Sequence, residues 1–66
     1  MKNNIRVERA ILRMTQAQLA ERIGVSRQTI NAIEAAKYVP STVLALKMSL
    51  IFGKPVTEFF QLEDDD

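Results

Sequence analysis

In the stretch TQAQLAERIGVSRQTINAIE, residues 15–34, a glycine is followed after a single residue by a serine, and this punctuation restricts the fold more than anything else in the chain. Upstream, Thr15 and Gln18 stand at the spacing of a capping box, in which each side chain satisfies a backbone N–H left free at a helix start. A helix is therefore predicted from Gln16. Leu19, Ala20 and Ile23 share one side of it while Gln16, Gln18, Glu21 and Arg22 face elsewhere, so the segment is amphipathic. Gly24 predicts its end, because closing a helix commonly takes a residue of positive φ, which costs glycine nothing and a residue bearing Cβ about 1 kcal/mol or more. Ser26 then caps a second helix. With only Val25 between glycine and cap, the link has the length of a helix-turn-helix connection, whose two helices cross steeply. Ala20 suits that crossing, since a small side chain permits close approach, and Ile30 and Ile33 bring the apolar face of the second helix to the contact.

The other side of this second helix carries Arg27, Gln28 and Asn31, with Ala35 one further turn along. Arginine can donate two hydrogen bonds to the O6 and N7 of guanine, and glutamine and asparagine can pair in the same forked way with the N6 and N7 of adenine. These are the side chains that a reader of the DNA major groove needs. The short Ala32 and Ala35 let such a helix sit deep in the groove, where Ala32 can touch a thymine methyl.

These residues resemble the Cro and phage-repressor type of helix-turn-helix transcriptional regulator, the XRE family. The resemblance spans Asn4 to Leu62 and rests on TQ, LA, IGVSRQTI and IE at the family's spacing. It implies an all-α, compact five-helix domain of the lambda-repressor type, with helices 2 and 3 as the helix-turn-helix. Gln16 matches the glutamine that binds a DNA phosphate at the start of the first motif helix. Arg27, Gln28 and Asn31 match base-facing positions, Thr29 a phosphate or base-edge contact, and Lys37 a backbone-contacting position beyond the recognition helix. Arg9 and Glu34 match a structural ion pair that ties the first helix to the recognition helix. Two departures stand out. Ala35 and Ala36 replace the usual Asn-Gly, so the recognition helix is expected either to run on by part of a turn or to end without a left-handed residue. Glu8 stands where many members carry an apolar side chain.

Sixty-six residues allow one domain, expected over 1–62, and a chain this short keeps a large share of its surface exposed. The absence of cysteine and histidine leaves no disulfide and no donor set for a structural zinc, so oligomerisation is the remaining means of reinforcement. No cofactor, metal or small-molecule ligand is implied. With no catalytic histidine or cysteine and no glycine-rich phosphate loop, an enzyme is disfavoured. The start MKNNIRVERA has no apolar signal core and no apolar run approaches a membrane span, so a soluble, cytoplasmic protein is expected. The formal charge of +1 hides an asymmetry. Glu63, Asp64, Asp65 and Asp66 form an acidic tail, expected to be disordered, and residues 1–62 hold nine basic side chains against four acidic ones, a surplus of five that suits DNA binding.

The flanking segments follow the same plan. Asn3 or Asn4 caps a first helix reaching about Arg13, with Ile5, Leu12 and Met14 as apolar anchors. Tyr38, Val39 and Pro40 connect to a fourth helix that Ser41 caps and Gly53 ends, and Pro55 suits the first turn of a short fifth helix reaching Phe60. The fourth helix is apolar on nearly every side: from Thr42 to Phe52 only Thr42, Lys47 and Ser49 are polar. Leu44, Ala45, Met48 and Phe52 follow the core positions, which leaves Val43, Leu46 and Leu50 as a second stripe. Either the fifth helix folds back over this stripe, or the stripe joins Phe59, Phe60 and Leu62 as the interface of a twofold homodimer. A dimer would present two recognition helices to half-sites about 34 Å apart on double-stranded DNA, hence a near-palindromic operator and, most simply, repression. A reading of another class is a protein-binding module, such as the antitoxin half of a complex that holds a partner protein on the same stripe.

Overall fold

The structure, a computed structural model, describes residues 1–66. Four α-helices carry the fold: α1 (Ile5–Ile11), α2 (Gln16–Ile23), α3 (Arg27–Glu34) and α4 (Thr42–Phe52). A two-residue strand on either side of them, β1 (Lys2–Asn3) and β2 (Phe60–Gln61), pairs antiparallel with Asn3 opposite Phe60. The fold is thus all-α apart from one short ribbon that joins the two ends of the chain. No helix is long and apolar enough to cross a membrane.

The helix-turn-helix forms as its local chemistry dictates. Thr15 Oγ1 accepts the Gln18 N–H at 3.0 Å while the Gln18 side chain accepts the Thr15 N–H at 2.8 Å, completing the capping box of α2. Gly24 ends that helix at φ +76°, and nothing lies within 4 Å of where a Cβ would stand. The glycine is therefore required by backbone conformation alone and not by crowding. Ser26 Oγ accepts the Thr29 N–H at 3.1 Å to cap α3, and Ala20, buried in the crossing, lets α3 approach.

Two other helix ends are closed in the left-handed conformation without glycine. After α1, Arg13 adopts φ +52°; its N–H reaches Ala10 O at 3.1 Å, and the Met14 N–H reaches Arg9 O at 2.9 Å. That closure stops α1 at Ile11 instead of Arg13 and turns Leu12, expected as an anchor, to a position 45% exposed. After α3, Ala36 adopts φ +59°, with its N–H on Ile33 O at 3.0 Å and the Lys37 N–H on Ala32 O at 2.9 Å. The recognition helix neither runs on nor lacks a left-handed residue: it stops at Glu34 through a complete Schellman closure built on alanine.

The largest difference from expectation lies at the C-terminal end. In place of a fifth helix, Pro55 leads into a single 3-10 turn, Val56–Glu58, and the chain then extends into β2. The Phe59 carbonyl accepts the Asn4 N–H at 2.9 Å and Phe60 pairs with Asn3, so contacts across the whole chain replace further helical bonds. Phe59 and Phe60 consequently belong to the core. Phe59 is fully buried, its ring packed edge-on against Phe52 at 5.0 Å, and Phe60 lies beside it at 5.3 Å. Both are thus buried within the chain instead of exposed as the dimer interface expected of them would require. The core they close comprises Ile5, Leu19, Ala20, Ile23, Ile30, Ile33, Met48, Phe52, Phe59 and Phe60, with Leu44, Ala45 and Met14 half-buried against it.

Three ionic contacts finish the packing. Buried Glu8, in a position that suits an apolar side chain, is matched by Lys54 Nζ at 2.9 Å; the hydrogen bond to Glu8 raises the Lys54 pKa above its ordinary value. The acidic tail turns back so that Glu63 and Asp66 each lie 3.1 Å from the terminal amine of Met1. Asp66 raises the pKa of this amine, with Glu63 adding to the effect, while the Glu63 backbone N–H holds the Asp66 carboxyl below its usual range. The amine's contribution is present below its ordinary pKa and lost as pH rises through the raised one. That of Asp66 is present above the usual carboxylate range and lost as pH falls, so this contact is closed at neutral pH. The third contact ties α1 to α3: Arg9 Nε and Nη2 grip both oxygens of Glu34 at 2.6 and 2.9 Å, and Arg9 Nη1 donates to Met14 O at 3.0 Å.

Ala36→Gly is expected to stabilise the fold by about 0.5–1 kcal/mol, because it relieves the left-handed strain of a Cβ. Thermal unfolding should show this as a Tm higher by roughly 3–6 °C, whereas Ala32→Gly, inside α3, should lower it. Arg9→Ala and Glu34→Ala should each cost about 3 kcal/mol, since each leaves a largely buried charge unpaired. In urea unfolding, the double variant should lose at least about 1 kcal/mol less than the two single losses together.

Candidate nucleic-acid interface

The polar flank of α3 is set by what its other flank must do. Ile30 is fully buried and Ile33 nearly so, which fixes the rotation of the helix and turns Arg27, Gln28 and Asn31 to the surface, where all three are exposed. Gln16, the first residue of α2, stands beside them, and together the four line a shallow cleft of about 200 Å³. Its walls hold amide and guanidinium groups and no apolar side chain. Such a cleft can offer donors and acceptors to a base edge or a phosphate.

The half-buried Gln16 is already engaged within the protein. Its Nε2 donates to Glu34 Oε1 at 3.3 Å and lies 3.4 Å from Asn31 Oδ1, so it links the Arg9–Glu34 pair to the exposed row. Thr29 is half-buried as well, and its hydroxyl lies 3.0 Å from Ser26 Oγ. That contact makes it part of the cap of α3 and leaves one side of the hydroxyl for an outside group. Lys37 follows the left-handed Ala36 and is exposed at the C-terminal end of the helix. Arg27, Gln28, Asn31 and Gln16 are therefore brought together, whereas Lys37 stands apart from their cleft.

One positioning group escaped the sequence reading. Asn3 Nδ2 donates to Ile33 O at 2.8 Å, a contact spanning thirty residues that clamps the last turn of α3 to the N-terminal strand. In the sequence Asn3 reads only as a capping residue, and its side-chain oxygen does lie 3.4 Å from the Ile5 N–H. The clamp has no local signature, because its acceptor lies thirty residues along the chain.

The Helix-turn-helix family profile matches residues 5–59. An uncharacterized HTH-type transcriptional regulator of Methanocaldococcus jannaschii is 48% identical over 66 residues, covering all of both chains. The HTH-type regulator YgzD of Bacillus subtilis is 42% identical, again over the whole of each chain. A third, from Methanothermobacter thermautotrophicus, is 42% identical over 98% of this chain and 96% of its own. With four helices in this arrangement and a match over most of its length, the chain belongs to the XRE-type helix-turn-helix family of DNA-binding transcriptional regulators.

Proposed function

We propose that the protein is a sequence-specific repressor that binds a near-palindromic operator as a homodimer. The observation that carries this reading is the division of α3 between inward isoleucines and an outward row of hydrogen-bonding forks. Arg27, Gln28 and Asn31 read base edges in the major groove, while Gln16, Thr29 and Lys37 set the register against phosphates. Ala32 and Ala35 keep the helix slim enough to enter. Occupancy of an operator by so small a domain acts by blocking polymerase, which makes repression the simplest output.

Dimerisation is supported by the second face of α4, which no segment covers. Val43, Leu46 and Leu50 are 61%, 55% and 85% exposed, and Leu62 is 82% exposed. An uncovered stripe of this kind favours an interaction surface. Four side chains per protomer fall short of the roughly 800 Å² per partner of a standard interface. The dimer is accordingly weak in free solution and gains strength on an operator that seats both halves. A partner protein of another kind, as in an antitoxin, would use the same stripe, and the DNA experiments below separate that reading from this one.

Selection of bound sites from a random duplex pool should return two inverted half-sites about one helical turn apart; failure to enrich any sequence would refute the reading. Arg27→Ala should cost about 1–3 kcal/mol at one base position and relax preference there, while Lys37→Ala should weaken all sequences alike. In sedimentation the wild type should show weak, concentration-dependent self-association that Leu50→Lys abolishes. A wild type that stays monomeric both free and on its operator would end the dimer proposal.

A further inference from the structure

We propose that Arg6 is a further DNA contact, which grips a backbone phosphate on the groove wall beside the C-terminal half of α3. This inference rests on the DNA-binding reading above. Asn3, Arg6 and Arg9 follow one another at three-residue spacing along the edge of the N-terminal segment that borders α3. The outer two are both committed to that helix, Asn3 to Ile33 O at 2.8 Å and Arg9 to Glu34 at 2.6 and 2.9 Å. Arg6, between them, is exposed, and its side chain makes no hydrogen bond or ion pair within the protein. It lines an open groove of about 490 Å³ whose opposite wall is Asn31 and Ala35, the outward row of the recognition helix.

The charge in this groove favours an anion. Glu34 is its one acid, and the bidentate bond from Arg9 already neutralises it, so the guanidinium of Arg6 is the surplus charge. The width of the major groove then decides which part of DNA it meets. An α-helix with its side chains is about 10–12 Å across and fills a groove about 12 Å wide. A cation carried by the neighbouring helix, one groove away from the base-facing row, therefore lies over the wall, where the phosphates are. Arginine suits that place because its planar fork can bond two phosphate oxygens at once. Since Arg6 supports nothing inside the protein, its replacement should leave the fold intact.

The test is the salt dependence of binding to a duplex carrying the selected half-sites, compared among wild type, Arg6→Gln, Arg6→Lys and the control Arg22→Ala. Arg22 is another exposed arginine, on α2, in a groove that includes no residue of α3. Loss of one phosphate contact per protomer should make the slope of log K against log salt shallower by about 0.9 for each Arg6→Gln protomer bound. Affinity should fall roughly three- to tenfold near 0.1 M salt with the preferred half-site and the melting temperature unchanged, as expected for one exposed charge contact. Arg6→Lys should restore the slope and Arg22→Ala should not alter it. A wild-type slope in Arg6→Gln would overturn the proposal, and so would an altered sequence preference, which would make Arg6 a base reader. If the wild type itself bound no duplex, the DNA-binding reading would fall first; binding by the wild type with no effect at Arg6 would remove this inference alone.

Discussion

The bidentate bond between Arg9 and Glu34 is the contact on which the arrangement of the outward face depends. Through it α1 holds α3, through Met14 O it holds the turn into α2, and through Gln16 Nε2 the first residue of α2 is held as well. Three helices thus meet at one pair of charges. A pair this buried contributes little net stability, because both ions lose water to form it. What it supplies is direction, since a planar fork on a planar carboxylate tolerates few geometries. The hydrophobic contacts of Ile30 and Ile33 fix which side of α3 faces inward but are not directional. The ion pair and the Asn3 clamp on Ile33 O add directional bonds to them.

The same bond shapes the electrostatics of the surface. Glu34 is the one acid on α3, and an unpaired carboxylate there would repel phosphate. Paired with Arg9, it leaves the surface positive while still accepting from Gln16. One residue therefore serves orientation and charge together, which is why its loss would be felt in both.

The helix-turn-helix was legible because each of its signals is local. Thr15 with Gln18, Gly24, and Ser26 with Thr29 act over one to three residues, so the sequence contains both partners of every bond. The resemblance to a known family added Arg9 with Glu34, which no local pattern would have joined. What stayed hidden depends on partners far along the chain. Phe59 and Phe60 read as the end of a short fifth helix, yet the pairing of Asn3 with Phe60 draws both rings inward. Arg13 and Ala36 carry no mark of positive φ, and they adopt it because satisfying the last carbonyls of α1 and α3 outweighs a strain of about 1–2 kcal/mol. Glu8 looked misplaced on an apolar face until Lys54, on the loop after α4, supplied its partner.

The inward turn of Phe59 and Phe60 has a further consequence for the fourth helix. Because those rings complete the core beside Phe52, the segment after α4 is consumed in closing the protomer and cannot also lie across Val43, Leu46 and Leu50. The hydrophobic cluster is complete within one chain, with all ten of its members buried by residues of the same chain. Completion of the core therefore does not require whatever covers the α4 stripe. Where a partner must complete the core, folding and binding are one equilibrium. A partner docked on the stripe, such as the proposed second copy, would therefore add to a core that is already complete, and its contact could be weak without unfolding the domain.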